Sequence, residues 1–203
     1  MDIQRHVMQL GHTLRTMGIA AGNRVGIFAR NQTRWVIADL AIMSIGAISV
    51  PIYPTSNPED IAHITQDADI SVMFVDDASL RDRIPDHITQ LFLNNNHPYP
   101  KTDRYLSWNQ VLESGKTADT NSGALAKQLG TLSPDQTATI VYTSGTTGQS
   151  KGVVLTHANI LSNVRDVLSI IPLNENEIAL SFLPLSHIFE RTVGYYTLLD
   201  RKS

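Results

Sequence analysis

Between Tyr142 and Val153 the chain reads YTSGTTGQSKGV. Gly145, Gly148 and Gly152 sit among hydroxyl residues, and Lys151 is the single cation of the stretch. A glycine-rich bend after a buried strand turns successive backbone N–H groups into one concavity that holds anions. Glycine serves there because a Cβ blocks both positive φ angles and the close approach of a phosphate. Thr143, Ser144, Thr146 and Thr147 add hydroxyl donors, so the stretch is a candidate polyphosphate cradle. It is not the common nucleotide loop: four residues on from Gly145, the position that needs a second glycine holds Ser150. The dinucleotide pattern fails too, since no two of these glycines are separated by one residue. A flexible surface loop rich in Ser, Thr and Gly is the plainer alternative.

His187, within SFLPLSHIFERTVGYY at 181–196, is the other candidate. Alone it reads as a cap on the helix that follows. Glu190 and Arg191 read as a local pair without a catalytic role. Trp35, Tyr195 and Tyr196 read as packing residues. The other histidines lack metal-ligand spacing, so no protein metal site is expected.

The elements that must position these groups alternate. Ile3, Val7, Leu10, Leu14 and Met17 recur at helical spacing and stop at Gly18. RVGIFA predicts a strand, 33–45 a helix, 47–53 a buried strand, and Asn57–Pro58 the capped start of another helix. ISVMFVDD and 88–93 predict two more strands. From Asn94 to about Gln136 the text is polar and broken, which predicts a surface excursion with one helical turn near Trp108. A buried strand over 138–143 then enters the glycine bend, and VVLTH leaves it extended. Thr156 caps a helix whose apolar face is Ile160, Val164, Val167, Leu168 and Ile171. IALSFLPL predicts a strand, and HIFERTVGYYTLL a helix. The expected fold class is α/β, mostly parallel sheet with flanking helices. Its expected parts are 1–93, the excursion 94–136, and 137–203, which bears the bend.

Bulk properties exclude much. The 203 residues are 42% hydrophobic, enough to bury a core. A net charge of −3 without basic clusters argues against a nucleic-acid surface. With no cysteine, disulfides and thiolate chemistry are out, which fits a cytoplasmic setting. Residues 35–53 approach the length of a bilayer span, but Asp39, Gly46 and Pro51 break the run, so it reads as helix then strand.

YTSGTTGQSKGV resembles the phosphate-binding signature of the adenylate-forming superfamily, except that Ser150 stands where most members carry proline. PLSHIFER is similar to long-chain fatty-acid–CoA ligases more than to the peptide-synthetase branch. Residues 18–64 resemble the same family's N-terminal region, so the likeness covers almost the whole chain. It implies part of the large N-terminal domain of such an enzyme. A fatty acid carboxylate attacks the α-phosphate of ATP, with Mg²⁺, to give an acyl-adenylate and pyrophosphate. The coenzyme A thiol then displaces AMP. By motif, Thr143, Ser144, Gly145, Thr146, Thr147, Gly148 and Lys151 hold the β- and γ-phosphates. His187 faces the carboxylate and α-phosphate at the mouth of an acyl tunnel, whose wall the tyrosines can touch.

Members are two to three times longer. Their adenine, ribose and C-terminal lysine segments have no counterpart here, which implies an N-terminal fragment lacking the C-terminal domain. That fragment is expected to be inactive alone and open to self-association through bare apolar surface. Two other readings stay open: a piece of an aryl or amino acid activating enzyme, and a truncated, non-catalytic binding module. Relatives that handle long chains often work at membrane surfaces, but no basic amphipathic helix argues for it here.

Overall fold

The computed structural model describes residues 2–96, 98–100, 102–117, 122–144, 149–171, 173–174, 176 and 178–202. Seven strands form one sheet in the order β5-β4-β3-β1-β2-β6-β7. They are β1 (Arg24–Phe28), β2 (Ile48–Ile52), β3 (Val72–Val75), β4 (Thr89–Phe92), β5 (Tyr105–Ser107), β6 (Thr137–Ser144) and β7 (Ser150–Thr156). Every pairing is parallel except β6 with β7, which form an antiparallel hairpin. The expected α/β class is borne out.

Helices α1 (Ile3–Thr16), α2 (Thr33–Ser44), α4 (Trp108–Ser114) and α6 (His157–Ile170) cover one face. There Leu10, Leu14, Trp35, Ile37 and Ile42 are fully buried. Helix α3 (Pro58–Asp67) covers the other face, burying Ile61 and Ile64 against Phe28, Val50 and Val75. Its start is as the sequence predicts: Asn57 Oδ1 accepts from Asp60 N at 2.8 Å, and Pro58 needs no partner for a missing N–H. Gly46 separates α2 from β2 at φ +77°, a conformation that a side chain resists. No described helix is long and apolar enough to cross a membrane.

One expectation is met in part and one fails. The polar stretch 94–136 forms the expected helical turn near Trp108 but carries more regular structure than its composition suggests. It supplies β5 at the sheet edge, α4, whose Trp108 and Val111 are buried, and α5 (Ser122–Leu129). Arg34 lies over the Trp108 ring at 5.4 Å, and a Cβ on Gly115 would stand 2.1 Å from the Gln9 carbonyl oxygen. Two apolar anchors and one glycine thus help to dock it on α1.

The strand expected over IALSFLPL does not form. Ile178, Leu180 and Phe182 are 94%, 83% and 75% exposed. An apolar run becomes a strand only beside a neighbour's ladder, and this segment is held elsewhere. Asn31 Nδ2 donates to the Leu183 carbonyl (2.7 Å) and the Ser181 hydroxyl (3.2 Å), and Asn31 Oδ1 accepts from Leu185 N (2.8 Å).

Candidate functional site

The motif at 142–153 falls on the paired strands β6 and β7. Strand β6 runs parallel to β2 through Ser49 and Thr139, so its end opens on the same edge as the carboxyl ends of β1 and β2. Ligands of parallel sheets bind outside that edge. Cross-strand register places Thr143 opposite Lys151 and Ser144 opposite Ser150. Thr143 and Lys151 are exposed, and Lys151 has no ion-pair partner among the described residues. Gly145, Thr146, Thr147 and Gly148 lie outside the described residues. His63 on α3 steadies the start of β7, its Nε2 lying 2.9 Å from the Ser150 carbonyl.

His187 reaches this edge by a different route. Asn31, just past β1, pins residues 181–185 there, and a helix starts at Ile188. His187 is exposed, and its Nδ1 lies 3.2 Å from Phe189 N. A backbone N–H can only donate, so Nδ1 accepts, and the tautomer this bond selects has its proton on Nε2. The capping reading and the site reading of His187 are therefore compatible. No hydrogen bond joins His187 to Thr143 or Lys151 among the described residues; the sheet edge is what they share.

Beside His187, an apolar groove of 410 Å³ separates α6 from the new helix, lined by Leu155, Ile160, Val167, Ile188, Phe189 and Val193. That volume falls within the roughly 300–1,000 Å³ of small-molecule sites.

The helix itself is unusual. Glu190–Tyr196 are wound as a π-helix before α7 (Thr197–Lys202). With i→i+5 bonding, residues five apart align. Arg191 and Tyr196 do so, Nη2 donating to the Tyr196 hydroxyl at 2.8 Å. The expected Glu190–Arg191 pair does not form. Arg191, 0% exposed, pairs instead with Asp39 of α2 at 2.6 Å, and its Nη1 donates to Thr139 Oγ1 at 2.9 Å. Asp39 also accepts from the Ser49 hydroxyl (2.6 Å) and the Tyr196 hydroxyl (2.7 Å).

Burial and the Asp39 charge push the Tyr195 phenol well above its ordinary range. Burial and the Asp39 carboxylate act the same way on Tyr196, against Arg191, and hold that phenol protonated too. Glu190 is buried at 5% exposure, with Oε1 lacking a hydrogen-bond partner among the described residues. Trp35 packs under the Arg191 guanidinium at 5.5 Å, as expected of a packing residue.

Sequence reasoning missed Asn31, Asp39 and Arg191. A carboxylate in the middle of an apolar helix was the available signal, since it demands a partner. No described group of three or more His, Cys, Asp or Glu residues is arranged to hold a metal ion.

Comparison with known proteins agrees with this geometry. The AMP-binding enzyme family matches residues 1–200. A long-chain-fatty-acid–CoA ligase, FadD15 of Mycobacterium bovis, is 32% identical over 190 residues, which is 89% of this chain and 30% of that protein. The chain thus spans under a third of that relative's length. Among solved structures, ATP-bound MatB from Rhodopseudomonas palustris superposes with TM-score 0.79 at 20% identity, covering 100% of this chain and 38% of the other. The anthranilate CoA ligase AuaEII, in complex with anthranoyl-AMP, gives TM-score 0.81 at 20% identity, over 99% and 38%.

Proposed function

The chain belongs to the AMP-binding enzyme family, and from that premise we propose that it forms the phosphate-holding part of an ATP-dependent long-chain fatty acid–CoA ligase. The observation that carries this reading is the hairpin tip. Thr143 and Lys151 stand side by side and exposed, at the ligand edge of a parallel sheet, with the cation unpaired among the described residues.

A triphosphate fits such a tip. Lys151 neutralises charge on the β- and γ-phosphates, Thr143 donates a hydroxyl, and by motif Ser144, Gly145, Thr146, Thr147 and Gly148 bind the same phosphates. Mg²⁺, when bound, would offset further phosphate charge and travels with the nucleotide. His187, with its proton on Nε2, donates to the carboxylate or the α-phosphate and holds the two reactants in line. The protein supplies no nucleophile; the acid carboxylate attacks phosphorus, and coenzyme A takes the acyl group afterwards. The groove beside Ile188 and Phe189 is where an acyl chain would lie, its apolar lining suited to methylenes. A second reading, activation of an aromatic acid, draws on the likeness to the anthranilate ligase, which is a likeness of fold.

Calorimetric titration of the purified chain with MgATP tests this. Lys151→Ala should weaken binding about tenfold or more, as loss of a charge-assisted contact does, while circular dichroism stays unchanged. Inorganic tripolyphosphate should compete with ATP. Equal affinity in wild type and variant, or no competition, refutes the loop's role.

A further inference from the structure

We propose that Arg191 is a positioning residue that sets His187 in register with strand β6, acting through Thr139. The inference rests on the reading just given, in which the loop and His187 meet one substrate.

The path is short and continuous. Arg191 N donates to the His187 carbonyl at 3.2 Å, so the two residues share one helical turn. The Arg191 guanidinium donates from Nη1 to Thr139 Oγ1 at 2.9 Å. Thr139 in turn donates to the Ser49 carbonyl at 2.6 Å, which locks its rotamer. Four residues further along the same strand is Thr143, at the entry to the bend. Asp39 holds the second arm of the fork at 2.6 Å, and Asp39, Ser49, Thr139 and Arg191 are all 0% exposed.

The winding of the helix serves the same arrangement. In an ordinary α-helix, residues five apart face different ways; the π turn brings Tyr196 beside Arg191, where its hydroxyl bridges to Asp39. Stability alone does not call for such a layout, because apolar residues of equal volume often stabilise as well as a buried ion pair. What a planar fork of fixed geometry adds is register. A slip of the helix by one residue would carry the guanidinium off both Thr139 and Asp39. The same slip would shift His187 relative to β6, since both residues share one turn.

The test reads His187 directly in the unliganded full chain, by ¹⁵N NMR of its ring and by amide hydrogen exchange. In wild type, Nδ1 should report as an acceptor and Nε2 as protonated. Thr139→Val keeps the strand's shape and removes the hydroxyl. It should average the His187 ring signals and speed exchange at 188–191 about tenfold or more, leaving α1 and β1 amides unchanged. Thr139→Ser should restore both readouts. If Thr139→Val does not fold, Arg191→Lys, which keeps a charge for Asp39 but loses the fork, is measured in its place. An unchanged His187 signature, no rescue by serine, or exchange rising equally in α1 and β1 overturns the proposal. The functional reading fails separately: a chain that binds no MgATP but shows the His187 change loses the activity and keeps the coupling.

Discussion

Replacing Asp39 with alanine should be severely damaging, and its size can be worked from the contacts. The substitution leaves Arg191 charged at 0% exposure, with Nη2 deprived of its carboxylate at 2.6 Å. It also strips the acceptor from the Ser49 and Tyr196 hydroxyls. Breaking a buried pair from one side costs about 3–5 kcal/mol, and two orphaned neutral donors at about 1 kcal/mol each agree with the upper part of that range. A domain with roughly 5–15 kcal/mol of stability loses about a quarter or more of it to a 4 kcal/mol change. With a urea slope of about 2 kcal/mol/M, a 4 kcal/mol loss moves the midpoint down by about 2 M.

Asp39→Leu combined with Arg191→Met should return to within about 2 kcal/mol of wild type, because both charges leave together. The exposed pair Glu113–Lys116, at 2.5 Å, is the control, and Glu113→Ala should change stability by less than about 0.5 kcal/mol. Urea unfolding followed by far-UV circular dichroism measures these proteins together with the single variants Asp39→Leu and Arg191→Met. A loss under about 1 kcal/mol for Asp39→Ala, or a double variant as unstable as the sum of its parts, would refute the buried-pair reasoning.

Other outcomes follow from the same coordinates. Gly115→Ala should cost about 3 kcal/mol in thermal or urea unfolding, since its Cβ would meet the Gln9 backbone at 2.1 Å and neither chain can yield cheaply. Burial holds the His157 imidazole below its ordinary value of 6.5. The folded state therefore binds fewer protons than the unfolded one, and stability, full above that value, declines as pH falls through it. Urea midpoints between about pH 7 and 5 should show the decline, and His157→Gln should flatten it.

Local rules made much of the fold readable. Helix α1 ends where the apolar spacing meets Gly18, α3 begins at Asn57–Pro58, and Thr156 caps α6 with Asn159 as its reciprocal partner. These signals act within one turn, so the text carries them. The errors are all long-range. Arg191 looked paired with its neighbour Glu190, yet its partner is 152 residues away. The apolar run at 178–185 had a strand's composition but no ladder beside it. The stretch after Asn94 looked like solvent-facing loop because few apolar residues, Trp108 and Val111 foremost, dock it, aided by the bare backbone at Gly115 and by polar contacts such as Thr13 Oγ1 to the Val111 carbonyl. For the site, Thr143 and Lys151 share the hairpin that the motif implies. The histidine's support by Asn31 is a tertiary fact with no local trace.

The ladder between β2 and β6 rests on the Ser49–Thr139 register, and the fork of Arg191 crosses that same seam. Natural recombination that swapped residues 137–203 for those of a distant cousin would import a new occupant at position 191 without its counterpart at 39. The hybrid would then strand a charge in the interior. Segments on the two sides of this junction must accordingly be inherited as a pair, and domain shuffling in the lineage should respect that boundary only where both ends of the pair travel together.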